Sequence, residues 1–184
     1  MKDSRLLGSI AAALLIPAAA TASALAPGAA TAHRDVRVTA RPELDGAVFA
    51  AINRVRAGHA LRALRPTKSL AAAAALHSRE MAEDGFFAHE SPGGGAFWIR
   101  VKNFYTATGF RRWLVGETIL WTSPDTDARD AVRDWIDSPE HRRILLGSTW
   151  REAGVAAIHV PSAPGAFHGL EVTIITADFG SRTR

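Results

Sequence analysis

The hydrophobic period of this chain changes once, near Trp150, and no other feature constrains the fold so tightly. Before that point apolar residues recur three and four apart, which gathers them on one face of a helix. Leu44, Val48, Ile52 and Val55 follow this spacing up to Gly58, expected to end the helix as its left-handed cap residue. Leu70, Ala73, Ala74, His77 and Met81 repeat it up to Gly85, in a helix starting near Thr67 or Ser69. Ala128, Ala131, Val132, Trp135 and Ile136 mark a further amphipathic helix capped by Asp125, Thr126 or Asp127. Beyond Trp150, residues 154–160 and 170–176 are β-rich runs separated by a Pro- and Gly-containing connection, which reads as a hairpin with a long loop. Helices first and strands last predict an α+β fold, an antiparallel sheet covered by helices.

Local punctuation refines this outline. The alanine run 71–75 permits close approach of a neighbouring backbone. Pro and Gly force a loop over 91–95, and a short helical stretch follows at about 96–103. Ser138 precedes Pro139 and is disfavoured in the α region, so the helix must break there. Ser138 is then expected to cap a new helix with Pro139 in its first turn.

With 184 residues, 47% of them apolar, and charges of both signs, the chain suits one globular domain with appendages. Lys2 and Arg5, an apolar run from Leu6 to Ala20 and a set of small residues have the layout of a secretory signal. A spanning helix needs about 20 apolar residues, and Pro17 interrupts a shorter run, so no transmembrane segment is expected in the mature protein. We place the signal at 1–24, with a later cut after Ala32 also fitting, a flexible lead-in at 25–42 and the domain at 43–184. The protein is thus expected to be secreted, to the exterior or the cell envelope. It has no cysteine, hence no disulfide framework and no acylated lipoprotein cysteine, and stability must come from packing or a bound ion.

The net charge of +4, or +3 once the signal leaves, is too mild to argue for nucleic acid. Arg54, Arg56, Arg62 and Arg65 cluster, and are expected to form a solvated helix face and loop, with phosphate or anionic headgroup contact as the other reading. Glu152 reads as a surface or capping charge, and His159 and His168 as solvated. Trp98, Trp113, Trp121 and Trp150 are candidates for an aromatic wall against a sterol or acyl chain, though packing accounts for most tryptophans.

The chemistry concentrates in three short motifs. His89 lies in Phe86-Phe87-Ala88-His89-Glu90-Ser91-Pro92, Glu117 in Gly116-Glu117-Thr118-Ile119, and His141 in Ser138-Pro139-Glu140-His141-Arg142. Imidazole nitrogens and carboxylate oxygens suit zinc and similar divalent ions, and three protein ligands leave room for water or substrate. His141, near a helix start, would stay neutral and able to ligate. His77 sits on an apolar helix face and reads as a hydrogen-bonded core histidine that could also stand behind His89 and orient it. There is no Gly-x-Ser-x-Gly elbow and no His-Glu-x-x-His, and no one reaction is indicated.

Asn53-Arg54-Val55-Arg56-Ala57-Gly58, Leu64, Leu70, the alanine run and His77-Ser78-Arg79-Glu80-Met81-Ala82 come first. His89, Gly116-Glu117, Trp135, the Ser138 to Arg142 run and Ala177-Asp178-Phe179-Gly180 follow. In this order they resemble the CAP superfamily of cysteine-rich secretory proteins, antigen 5 and pathogenesis-related proteins of class one, and most closely its cysteine-free bacterial branch. The resemblance implies a three-layer α-β-α sandwich with a helix-flanked cleft, whose floor in many relatives carries two His and two acidic residues able to hold a divalent metal. His89, Glu117 and His141 match three of those positions, and at the fourth, after the tryptophan, this chain offers Asp137 and Ser138, of which Asp137 is the acidic candidate. It also implies an extracellular binding module for an unidentified ligand, a lipid or sterol among the candidates. A metal-dependent hydrolase using the same cleft is the alternative.

Overall fold

The strand expected at 170–176 begins at Val172 and runs on to Thr183, and it is the centre of the sheet. The computed structural model describes Leu7–Gly8 and residues 36–184, so the expected signal, apart from those two residues, and most of the lead-in lie outside the described residues. In chain order the elements are β1 (Leu7–Gly8), β2 (Thr39–Ala40), α1 (Pro42–Gly58), β3 (Arg65–Pro66), α2 (Lys68–Asp84) and α3 (Phe97–Phe104). Then come β4 (Arg112–Thr122), α4 (Ala128–Asp137), α5 (Pro139–Leu145), β5 (Glu152–Val160), a 3-10 turn (Gly165–Phe167) and β6 (Val172–Thr183). The strands lie in the order β1-β4-β6-β5-β2, all antiparallel, with the two-residue β3 running parallel beside β5. Thr39 and Ala40, from the stretch read as lead-in, pair with His159 and Ile158. No helix among the described residues is long and apolar enough to cross a membrane.

Strand alternation divides the core into two layers. Leu120 of β4, Val155 and Ala157 of β5, and Ile175, Ala177 and Phe179 of β6 pack with Trp135 and Leu145 under α1, α4 and α5. Their neighbours Ile119, Trp121, Ile158 and Ile174 face the other way, with Met81 and Ala82 of α2. The result is the expected α-β-α sandwich, with α2 and α3 on one face. At Gly154 of β5 the alanine run performs the role foreseen for it, since a Cβ there would stand 2.0 Å from the backbone nitrogen of Ala71.

Several expectations are corrected locally. β4 was not foreseen, because Gly116 and Glu117 break the apolar alternation that marks a strand. Gly116 is needed where it stands: a Cβ would meet the Trp150 ring at 2.9 Å. α1 includes Gly58, and the left-handed residue beyond it is Ala60, at φ 53°. Ser138 interrupts the α4–α5 path with extended backbone as expected, but its side chain makes no capping bond. Asp127 caps α4, accepting from the backbone N–H groups of Arg129 and Asp130.

Arg56 is not on a solvated face. It is fully buried, and its guanidinium donates to the carbonyls of Arg62, Leu145 and Gly147, joining the end of α1 to the end of α5. Glu152 is likewise more than a surface charge, since its Oε2 accepts the buried Tyr105 hydroxyl at 2.5 Å.

Candidate functional site

Glu117 on β4 is paired across the sheet with Asp178 on β6, and both carboxyl groups are buried beneath α2 and α3. Alternation places them on that face, opposite Gly116 and Phe179. Glu117 Oε1 accepts from His89 Nδ1 at 2.8 Å. Glu117 Oε2 accepts from Arg100 Nη2 of α3, whose side chain is only 3% exposed. The other arm of the same guanidinium donates to Ser91 Oγ at 2.8 Å and to the His89 carbonyl at 3.4 Å. Arg100 therefore ties the loop after α2 to the sheet floor.

His77 stands behind this loop. Its Nε2 donates to the Ala88 carbonyl at 2.9 Å, one residue before His89, and lies 3.9 Å from Glu117 Oε1, too far for a second bond. Nδ1 of His89 is the ring nitrogen engaged by Glu117, which leaves Nε2 for any other partner. The side chain of His89 is 12% exposed, so the dyad reaches solvent through this one ring while its support is closed off.

The electrostatics follow from burial and close pairing. Burial alone would raise Glu117, but the His89 hydrogen bond together with His77 and Arg100 holds its carboxyl below the ordinary range. Asp178 moves the other way, pushed well up by burial first and then by the negative charge of Glu117. Neither Asp178 oxygen meets a donor, which a protonated carboxyl remedies by donating its own hydrogen toward Glu117.

Burial lowers His77 to about 4. Unfolded, the same ring takes its proton near pH 6.5, so between the two values the unfolded chain binds more protons and stability falls as pH falls. We expect the chemical-denaturation midpoint to decline between about pH 6.5 and 4, and to decline less in His77→Gln. Equal slopes in the two proteins would show that His77 does not titrate in this way.

The structure brings His89, Glu117 and His77 together, and adds Arg100 and Asp178, which sequence reasoning did not select. Asp178 could have been found from its place in Ala177-Asp178-Phe179-Gly180, a carboxylate inside an apolar strand end. Arg100 gave no such signal, being one basic residue in a short helix. Asp137 is exposed at the end of α4. His141 is buried in the first turn of α5, a helix that packs through Leu145 with the layer on the other face of the sheet.

A divalent ion does not fit the donors as they stand. Among the described residues no group of three or more His, Asp or Glu side chains is placed to hold one. Both Glu117 oxygens are already engaged, one by a fixed cation. The tryptophans do not form one wall either: Trp121 packs edge-on against Phe167 on the α2 face, Trp150 lies near Phe179 on the opposite face, and Trp98 is 45% exposed.

Layering and site geometry together define an α-β-α sandwich protein with a histidine–carboxylate pair on its sheet floor. The model of the cysteine-rich secretory protein family, CAP, matches residues 49–174, and the chain belongs to that family. It is 32% identical over 103 residues to the uncharacterized membrane protein YlbC of Bacillus subtilis (strain 168), a match spanning 56% of this chain but 28% of that protein. Among solved structures, it resembles an extracellular SCP-domain protein of Bacillus anthracis str. Ames at 25% identity and a TM-score of 0.58, covering 78% of this chain and 41% of that one. It shares the fold of an outer surface protein of Borrelia burgdorferi, with a TM-score of 0.61 at 16% identity, over 80% of this chain and 99% of that one.

Proposed function

We propose that this CAP domain works outside the cell as a binding module and holds an amphiphilic anion, a long-chain carboxylate or phosphate ester, in the groove between α1 and α4. The observation that carries the reading is the groove's composition. Its cavity of about 450 Å³ has an apolar floor of Ala51, Val55, Val132 and Ile136 and a rim of Arg54, Arg129 and Arg133. That volume lies within the range of small-molecule sites. Arg133 is paired with Asp130 on its own helix at 2.8 Å, and Arg54 and Arg129 stand beside it on the rim. An acyl chain would lie on the floor and its head group would meet those guanidiniums.

Export is supported by the layout of the first two dozen residues and by the extracellular or outer-surface descriptions of two structural relatives. The metal-dependent hydrolase is less well supported, because the Glu117 carboxylate it would use is already bonded to His89 and to the fixed cation Arg100.

Titration with a fluorescent long-chain fatty acid should give saturable binding. Arg54→Glu/Arg129→Glu should weaken it about tenfold or more, as one charge-assisted contact of about 1.5–3 kcal/mol would require. Unchanged affinity in the double variant would remove the groove from consideration.

A further inference from the structure

We propose that Arg100 is the resident cation of the cleft, so that the His89–Glu117 pair operates without a divalent metal. The guanidinium sits where an ion bound to Glu117 would have to sit, against Oε2, and it is anchored there by Ser91 and the His89 carbonyl as well. Arginine does not deprotonate in proteins, so this positive charge is permanent. A zinc ion sharing the carboxylate would face it at short range in a buried setting, where repulsion is weakly screened.

Charge balance supports the same conclusion. Arg100 pairs with Glu117 in contact, and the same guanidinium is held by Ser91 and the His89 carbonyl. Glu117 is thus already matched by a fixed positive charge in contact with it. Metal independence in this chain is therefore a property of one side chain on α3, and Arg100 is a positioning residue that also sets the site's ion specificity.

The test is isothermal titration with zinc chloride, paired with thermal melts in zinc and in EDTA. Wild type should give no saturable heat, and its melting temperature should be the same in both. Arg100→Met should gain one saturable zinc site per chain, using the vacated face of Glu117 beside Asp178, and lose it in Arg100→Met/His89→Ala. Arg100→Lys, which keeps the charge, should remain blind to zinc.

A saturable zinc site in wild type that disappears in His89→Ala overturns the proposal. So does a folded Arg100→Met that gains no site. Should Arg100→Met fail to fold by circular dichroism, the wild-type titration decides: a His89-dependent zinc site overturns the proposal, and its absence with EDTA-insensitive melting supports it.

Discussion

Replacing Trp135 with alanine should destabilise the domain by about 3–5 kcal/mol, the range for a large aromatic truncation in a packed core. The indole is fully buried between α4 and the sheet, against Leu120, Leu145, Ala177 and Phe179. Its Nε1 donates to the Ile119 carbonyl at 3.2 Å, on the strand that carries Glu117 two residues earlier. Truncation therefore leaves a cavity and removes a donor from β4. Urea denaturation of the purified protein measures the loss, and a value below about 1 kcal/mol would mean that the layer under α4 does not depend on this ring.

At Gly154 the expected effect has the opposite cause, overpacking. A Cβ would lie 2.0 Å from Ala71 N and 2.3 Å from the Leu70 carbonyl carbon, and these are backbone atoms that no rotamer change can move. Gly154→Ala must push α2 off β5, which should destabilise by about 3 kcal/mol, the upper end for overpacked cores, with Gly154→Val worse. Displacing α2 also displaces His77 and hence the Ala88 carbonyl that leads into His89. Gly46 provides the contrast: it lies within α1 with nothing within 4 Å of its Cβ position, so Gly46→Ala should stabilise by about 0.5–1 kcal/mol. Denaturation midpoints that moved the same way for both variants would show that the α2–β5 contact is not the tight one.

Much of this architecture was legible before any coordinates. The helical stripes of α1, α2 and α4 are set by side-chain spacing within one element, and spacing is a local property that sequence displays directly. The break at Ser138-Pro139 and the end of α2 at Gly85 are equally local, fixed by steric rules acting over a few residues. The motif order around His89, Glu117 and His141 identified the family, and with it the layered fold.

What the sequence could not display were the consequences of register and facing. β4 escaped notice because Gly116 must clear Trp150 and Glu117 must carry charge into the interior, and each requirement breaks the pattern that marks a strand. His89 meets Glu117 as expected, but Arg100 escaped notice for the same reason. Alternation turns Glu117 and Asp178 toward α2 and α3, where Arg100 arrives from a helix 17 residues earlier in the chain, while α5 lies against the opposite face. Arg56 looked like a surface arginine because nothing local shows that α5 will present its carbonyls to it. Sequence determined the main helices, the closing strands and the family the chain joins; the tertiary structure alone decided which charge meets Glu117, because that depends on which face of the sheet each helix covers.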